Sequence, residues 1–144
     1  MNLNNMFGTS EKNKKRSHLK NLVAIAKLDG VITDDEYKFL LNVGKKVGVS
    51  ESEIKKMIEK TSNIEITKPE TVEIALDYIY DLVLMTMADG VVDEKEIDLT
   101  IEIAEKMGLD PKTSAIIVRK IFMLAETKHT KEFILDTLKS HLLF

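Results

Sequence analysis

The stretch "MADGVVDEKE" (residues 87–96) repeats the pattern of "KLDGVITDDE" (residues 27–36), which lies sixty positions earlier. Both segments carry an aspartate, a glycine directly after it, an apolar residue two positions after it and a glutamate seven positions after it. The same offset aligns further residues without a gap, including Leu22 with Leu82, Val23 with Val83 and Gly48 with Gly108. Because self-similarity at a fixed spacing is typical of repeated structural units, the sequence predicts two copies of one unit.

Turn chemistry explains the glycine, the cap position and the glutamate of each segment. Gly30 can adopt the left-handed backbone conformation that ends a helix. Thr33 can cap the helix that follows, and Glu36 can reach back to complete a capping box. The second copy supplies the same functions in the same order through Gly90, Asp93 and Glu96. Each segment therefore predicts a short turn between two helices.

Apolar residues at helical spacing predict helices along nearly the whole chain. A first helix carries a stripe that starts at Leu19, and it ends near Asp29. A second helix runs from its cap at Thr33 to Gly48, and Ser50 caps a third. The fourth helix is predicted to begin with the segment Thr67, Pro69 and Glu70 and to run to about Asp89.

Three more helices are predicted to begin near residues 93, 110 and 130. Each repeat alone is too small to bury its apolar stripes, so we expect one shared core. The expected fold is an all-α, single-domain bundle of about seven helices, built from two three-helix repeats related by a pseudo-twofold and one C-terminal helix. Its predicted parts are a basic arm (1–18) and a helical domain (19–144), with repeats at about 19–62 and 67–126 and an extra helix at about 130–144.

Composition excludes several classes of protein and of site. The chain has 144 residues, enough for one domain with a sizeable core. Apolar residues make up 44% and charged residues 31%, a balance typical of globular proteins. The absence of cysteine excludes disulfides, thiolate metal sites and cysteine nucleophiles. The first twenty residues lack the apolar segment of a signal peptide, so we expect a cytoplasmic protein.

Charge is unevenly distributed along the chain. Residues 1–20 carry a net charge of +4, and the remainder carries −7. An acidic body argues against a nucleic-acid surface, which needs clustered lysine and arginine to neutralise phosphates. The basic arm alone suits RNA or an anionic lipid, but we favour a helix start that faces water, since charge runs near termini usually do. We therefore expect protein partners, with membrane association as one option, and no nucleic acid.

The fourth helix is the most apolar, yet its carboxylates argue against a membrane span. Glu73, Asp77 and Asp81 lie four residues apart and so form one stripe. Carboxylates inside a span cost a few kcal/mol each at the bilayer centre. We expect no transmembrane segment and interpret this helix as the centre of a bundle. Its acidic stripe either faces water or meets a basic partner or lysines of a neighbouring helix.

The repeated aspartate is the residue that turn chemistry explains least. Asp29 and Asp89 lie at helix carboxyl ends, where negative charge opposes the helix dipole, although an aspartate can also bond loop N–H groups. The spacing from aspartate to glutamate matches the second half of an EF-hand loop, whereas the first half offers no carboxylate. Hard oxygen ligands favour Ca²⁺ or Mg²⁺. The candidate metal ligands are Asp29, Asp34 and Glu36 in the first copy and Asp89, Asp93 and Glu96 in the second.

The two segments "IAKLDGVITDDE" (25–36) and "MTMADGVVDEKE" (85–96) resemble the TerB family of tellurite-resistance proteins and the TerB-like domain of a membrane-anchored DnaJ-type co-chaperone. The resemblance covers residues 19–125. It implies an all-helical bundle with internal pseudo-symmetry, no known catalytic activity and a role in stress-response complexes near the membrane. It also implies an acidic surface proposed to bind divalent cations, here through the matching residues Asp29, Glu36, Asp89 and Glu96.

No motif predicts catalysis. The three histidines, His18, His129 and His141, have no catalytic pattern around them, and each is predicted to lie at the surface. We therefore expect a protein that is not an enzyme. Two hypotheses remain, a cation-responsive module that acts through protein partners and a helical interaction domain that binds a partner through its acidic helix face.

Overall fold

The structure is a computed structural model that describes residues 3–27, 30–60, 66, 68–88, 90 and 92–142, with the backbone alone at 3–12, 141 and 142. Over these ranges the chain is helical and contains no strand. The helices are α1 (Leu3–Ala26), α2 (Asp34–Val47), α3 (Glu51–Lys60), α4 (Val72–Met87), α5 (Glu94–Lys106), α6 (Pro111–Glu126) and α7 (Lys131–Leu142). The prediction of an all-α chain with about seven helices is confirmed. No helix in the described ranges combines the length and the hydropathy needed to cross a membrane.

The helices group into two compact units. The first unit spans Met1–Thr67 and contains α1 to α3, and the second spans Lys68–Phe144 and contains α4 to α7. The division falls in the connection between the two predicted repeats.

In the first unit, α2 packs against both α1 and α3, and α1 also contacts α3. Leu40 of α2 and Ile54 of α3 are fully buried. Helix α3 contacts α2 at Gly44, where a Cβ would lie only 2.6 Å from the Ile54 Cδ1 atom. Glycine at this position therefore determines how near the two helices come.

Helix α1 begins well before the predicted stripe, so the residues of the basic arm are helical from Leu3 onward. Arg16 of this segment donates hydrogen bonds to the Glu53 carboxylate of α3, with 2.6 Å between Nη1 and Oε2. The predicted surface position of His18 is wrong, since the residue is only 3% exposed. His18 lies four and seven residues before the buried Leu22 and Ile25, and helical spacing places it on their face.

The second unit is built around α4, which contacts α5, α6 and α7. Most of the circumference of α4 is buried, as the sequence predicts for a central helix. Its buried apolar residues are Ala75, Leu76, Ile79, Tyr80, Leu82, Val83 and Met85. The predicted start of α4 at Thr67, Pro69 and Glu70 is several residues too early. The helix begins at Val72, because the Thr71 hydroxyl accepts a hydrogen bond from the Ile74 N–H and caps it there.

Candidate functional site

The glycines of both repeated segments adopt the predicted left-handed conformation, in the turns that follow α1 and α4. Gly30 has φ +87° and donates its N–H to the Lys27 carbonyl oxygen at 2.9 Å. Gly90 has φ +80° and donates to the Met87 carbonyl oxygen at 3.0 Å. Only glycine adopts this left-handed conformation at little steric cost, which explains its presence in both copies.

Both predicted capping boxes are present. In the first, the Glu36 N–H donates to Thr33 Oγ1 at 3.1 Å, and the Thr33 N–H donates to Glu36 Oε1 at 3.0 Å. In the second, the Asp93 N–H donates to Glu96 Oε1 at 3.3 Å, and Asp93 Oδ1 accepts from the Lys95 N–H at 3.0 Å. Glu36 and Glu96 are 6% and 5% exposed. The side chain of each glutamate is therefore directed to the start of its own helix, where it completes the capping box.

The candidate metal ligands fall into three groups. Asp34 and Asp93 are exposed at the starts of α2 and α5, and Glu36 and Glu96 are the buried capping residues already described. Asp29 and Asp89 lie outside the described residues. Among the residues that the structure places, no three acidic or histidine side chains converge as a group that could hold a metal ion.

The acidic stripe of α4 meets a lysine of a neighbouring helix, one of the alternatives that the sequence leaves open. Glu73 is exposed, and Asp77 forms an ion pair with Lys131 of α7. Partial burial opposes the charge on Lys131, yet the Asp77 carboxylate raises the pKa of this ammonium group above its ordinary value. Lys131 also lies 5.5 Å from the centre of the Tyr80 ring. Part of this stripe therefore stabilises the second unit.

A groove of about 530 Å³ lies on the first unit, along α2 and the connection to α3. It is lined by Lys38, Leu41, Asn42, Lys45, Val49, Ser50 and Glu51, which we call the α2 groove. Four of these residues occupy positions i, i+3, i+4 and i+7 of α2 and therefore share one helix face. The Val49 side chain is buried and Leu41 is half-buried, so the floor is apolar.

Two exposed lysines give the α2 groove its charge. Lys38 and Lys45 lie seven residues apart, about two helical turns or roughly 10 Å. Within the part of the chain that the structure describes, neither lysine forms an ion pair.

The acidic residue of the groove is already engaged. Glu51 accepts a hydrogen bond from the Tyr37 hydroxyl at 2.8 Å and lies 4.0 Å from Lys55 Nζ. The hydrogen bond to Glu51, with smaller effects of burial and of the Glu51 charge, raises the pKa of Tyr37 above its ordinary value. The groove therefore presents two unpaired positive charges over an apolar floor.

Sequence reasoning missed this groove, because it exists only where two helices and their connection meet. One signal was nevertheless present in the sequence. At the sixty-residue offset, Lys38 aligns with Asp98 and Lys45 aligns with Glu105. Opposite charges at equivalent positions indicate that the two copies use this helix face differently.

The histidines form no catalytic arrangement with one another in the described residues. His18 is buried in α1, whereas His129 is exposed, as predicted, and stacks on Phe133 with 4.5 Å between ring centres. The side chain of His141 lies outside the described part of the chain. Comparisons with models of protein families, with curated proteins and with solved structures found no match.

Proposed function

We propose that this chain is a non-catalytic interaction module that binds an acidic helical segment of a partner protein in the α2 groove. The observation that carries the proposal is the pair Lys38 and Lys45, both exposed and two turns apart on either side of the half-buried Leu41. An amphipathic helix laid in an apolar groove is a recurring mode of recognition. Here the lysines select for carboxylates at matching spacing on the partner.

The apolar floor supplies the contact and the lysines supply the selectivity. Exposed ion pairs contribute roughly 0.2 to 1 kcal/mol each, so two pairs alone give weak binding. Burial of apolar side chains on Leu41 and Val49 adds roughly 25 cal/mol for each Å² removed from water. Glu51 does not oppose an acidic partner strongly, because Tyr37 and Lys55 already hold its carboxylate.

Binding of a synthetic peptide tests this proposal. The probe is a fluorescein-labelled, alanine-based helix with two glutamates seven residues apart and an isoleucine midway, and a matched peptide carries lysines instead. We expect fluorescence anisotropy to detect binding of the acidic peptide only. The K38E/K45E variant should bind it at least about tenfold more weakly, since repulsion replaces two attractions.

The K46E/K56E variant is the matched control. It makes the same change in net charge on α2 and α3 at exposed lysines outside the groove. Equal loss of affinity in both variants would show that only net charge matters and would contradict a binding site in the groove.

The two units are also proposed to be copies of one TerB-like repeat, α1 to α3 and α4 to α6. Equivalent backbone bonds support this interpretation, since the Val49 N–H donates to the Gly44 oxygen at 2.8 Å and the Leu109 N–H donates to the Ala104 oxygen at 3.1 Å. Cytoplasmic location and a place in stress-response complexes near the membrane belong to the same proposal. The resemblance to the TerB family supports them.

Cation binding at the two repeated turns is the second candidate function. Its support is the resemblance of both segments to the TerB family, whose acidic surface is proposed to bind divalent cations. Ca²⁺ or Mg²⁺ would use oxygen ligands from the candidate residues Asp29, Asp34 and Glu36, or Asp89, Asp93 and Glu96.

A thermal melt in chelator and then in millimolar Ca²⁺ or Mg²⁺ tests the second candidate. An ion present at a hundred times its dissociation constant adds about 2.7 kcal/mol, which raises the midpoint by several degrees. The D29N/D89N variant should lose that rise and keep its stability in chelator. An unchanged midpoint of the unaltered protein with every ion would exclude this function and leave the groove proposal intact.

A further inference from the structure

The face of α5 equivalent to the α2 groove carries the opposite charge. At the sixty-residue offset, the groove residues Lys38, Asn42 and Lys45 align with Asp98, Glu102 and Glu105. All three acidic residues are exposed. The half-buried Ile101 aligns with Leu41, so each face has an apolar residue between its outer charges.

We propose that the partner of the α2 groove is helix α5 of a second copy of this chain. This inference rests on the proposed function, and it identifies the acidic helix that the groove binds. Each copy carries one basic face and one acidic face, so the protein is complementary to itself. The pairing joins different surfaces of two copies. It produces a closed ring if the rotation between neighbouring copies brings the last copy back to the first, and an open filament if it does not.

Charge spacing supports α5 as the occupant. Asp98 and Glu105 are seven residues apart, the same separation as Lys38 and Lys45. Two helices with equal spacing can align both charge pairs at once, in either direction. Each alignment places Ile101 near Leu41 or Asn42, over the apolar floor of the groove.

The acidic side chains are accessible, although some have contacts within their own unit. Glu102 lies 3.7 Å from Lys106 Nζ, and the Glu105 carboxylate accepts a hydrogen bond from Ser114 at 3.0 Å. These contacts hold the carboxylates in place while leaving them at the surface, with the Glu102 side chain 58% exposed. Preorganised charges of this kind reduce the entropy lost on binding.

Sedimentation velocity of the full chain over a range of concentrations tests the inference. We expect the weight-average sedimentation coefficient to rise with concentration at low salt. The rise should disappear at 1 M salt, where charges are screened within about 3 Å. The K38E/K45E and D98K/E105K variants should each remain monomeric under the conditions in which the unaltered chain associates.

Mixing the two reversal variants gives the sharpest result. In the mixture, the acidic groove residues of K38E/K45E can pair with the basic α5 of D98K/E105K. The mixture should therefore associate, although neither variant does so alone. The D98N/E105Q variant guards against misfolding, because its glutamine can still accept the hydrogen bond from Ser114. It should also lose self-association, with a melting midpoint close to that of the unaltered protein.

The outcomes separate this inference from the function on which it rests. A chain that stays monomeric at every concentration in low salt overturns the inference, and binding of the acidic peptide would then leave the proposed function standing with a different partner. Association that survives in K38E/K45E also overturns the inference. Failure of the acidic peptide to bind would overturn the proposed function and the inference together.

Discussion

The side chain of Ile54 in α3 lies directly against the backbone of Gly44 in α2. A Cβ atom at position 44 would stand 2.6 Å from Ile54 Cδ1 and 3.0 Å from the Val49 carbonyl oxygen. Alanine normally stabilises a helix interior by about 1 kcal/mol relative to glycine. Here we expect Gly44→Ala to lower the free energy of unfolding by about 1 to 3 kcal/mol, because the added Cβ would overpack the site against the fully buried Ile54 and the Val49 backbone. Urea denaturation measures the change.

A double variant checks the physical reason for that loss. Ile54→Val removes the Cδ1 atom and alone should cost about 0.5 to 1.5 kcal/mol. The G44A/I54V variant should be more stable than the sum of the single changes predicts. The second unit supports this expectation, since its equivalent residues are the larger Ala104 and the smaller Ser114, both buried. Strict additivity would contradict the steric explanation.

The capping glutamates provide a second prediction. Glu36→Gln retains an oxygen that accepts from the Thr33 N–H, whereas Glu36→Ala leaves that donor without its partner. We expect the alanine variant to lose about 1 kcal/mol of stability and the glutamine variant to lose clearly less. The same pair of changes at Glu96 should give the same order. Equal losses from glutamine and alanine would show that the negative charge, and not the hydrogen bond, stabilises these helix starts.

The hydrogen bond between Tyr37 and Glu51 predicts a specific titration. Because folding raises the pKa of Tyr37, the hydrogen bond between Tyr37 and Glu51 stabilises the folded protein below the ordinary pKa of tyrosine, about 10. This stabilisation is lost as the pH rises through the raised pKa. The ring-carbon NMR resonance of Tyr37 reports this pKa directly. Glu51→Gln should move it down toward the ordinary value. Glu59→Gln, an equal charge change at an exposed site on the same helix, should leave it unchanged.

The ion pair between Asp77 and Lys131 predicts a change at alkaline pH. Since the folded pKa of Lys131 is raised, the pair stabilises the protein below the ordinary pKa of lysine, about 10.4, and stops doing so as pH rises through the folded value. Both side chains are 43% exposed, so Asp77→Asn should cost only about 0.2 to 1 kcal/mol at pH 7.

Denaturant melts of the Asp77→Asn variant at pH 7 and at a pH above the folded pKa of Lys131 measure that difference. The difference in the free energy of unfolding between the variant and the unaltered protein should be smaller at the higher pH, because Lys131 is then neutral in both. Asp136→Asn serves as the control, because Asp136 is an exposed carboxylate on α7 itself. A gap that stays constant with pH would show that Asp77 stabilises the unit without Lys131.

Local chemistry made much of this fold predictable from the sequence. The caps at Thr33, Asp93 and Asp110 and the left-handed glycines depend on residues within a few positions of one another, so spacing alone indicates them. The start of α4 was harder, because Thr67 and Thr71 both offer a capping hydroxyl. The structure uses Thr71, which bonds the Ile74 N–H.

Features that need tertiary contact were not predictable in the same way. His18 is buried because its helix face packs, and its spacing of four and seven residues from Leu22 and Ile25 is a signal that the surface prediction overlooked. The α2 groove is lined by one face of α2 together with Val49, Ser50 and Glu51, and spacing along one helix does not show that these parts meet. The candidate metal ligands were predicted from their spacing alone. In the structure, two of them, Glu36 and Glu96, are buried residues that complete capping boxes.

An NMR titration of the ¹⁵N-labelled chain with the acidic helical peptide shows whether the α2 groove binds such a helix. Binding in the α2 groove should shift the backbone amides of residues 38–51 most, and saturation should follow a single dissociation constant. The backbone amide resonances of α6 should not shift. Shifts centred outside residues 38–51, or no shifts at all, would contradict the assignment of this groove as the binding site.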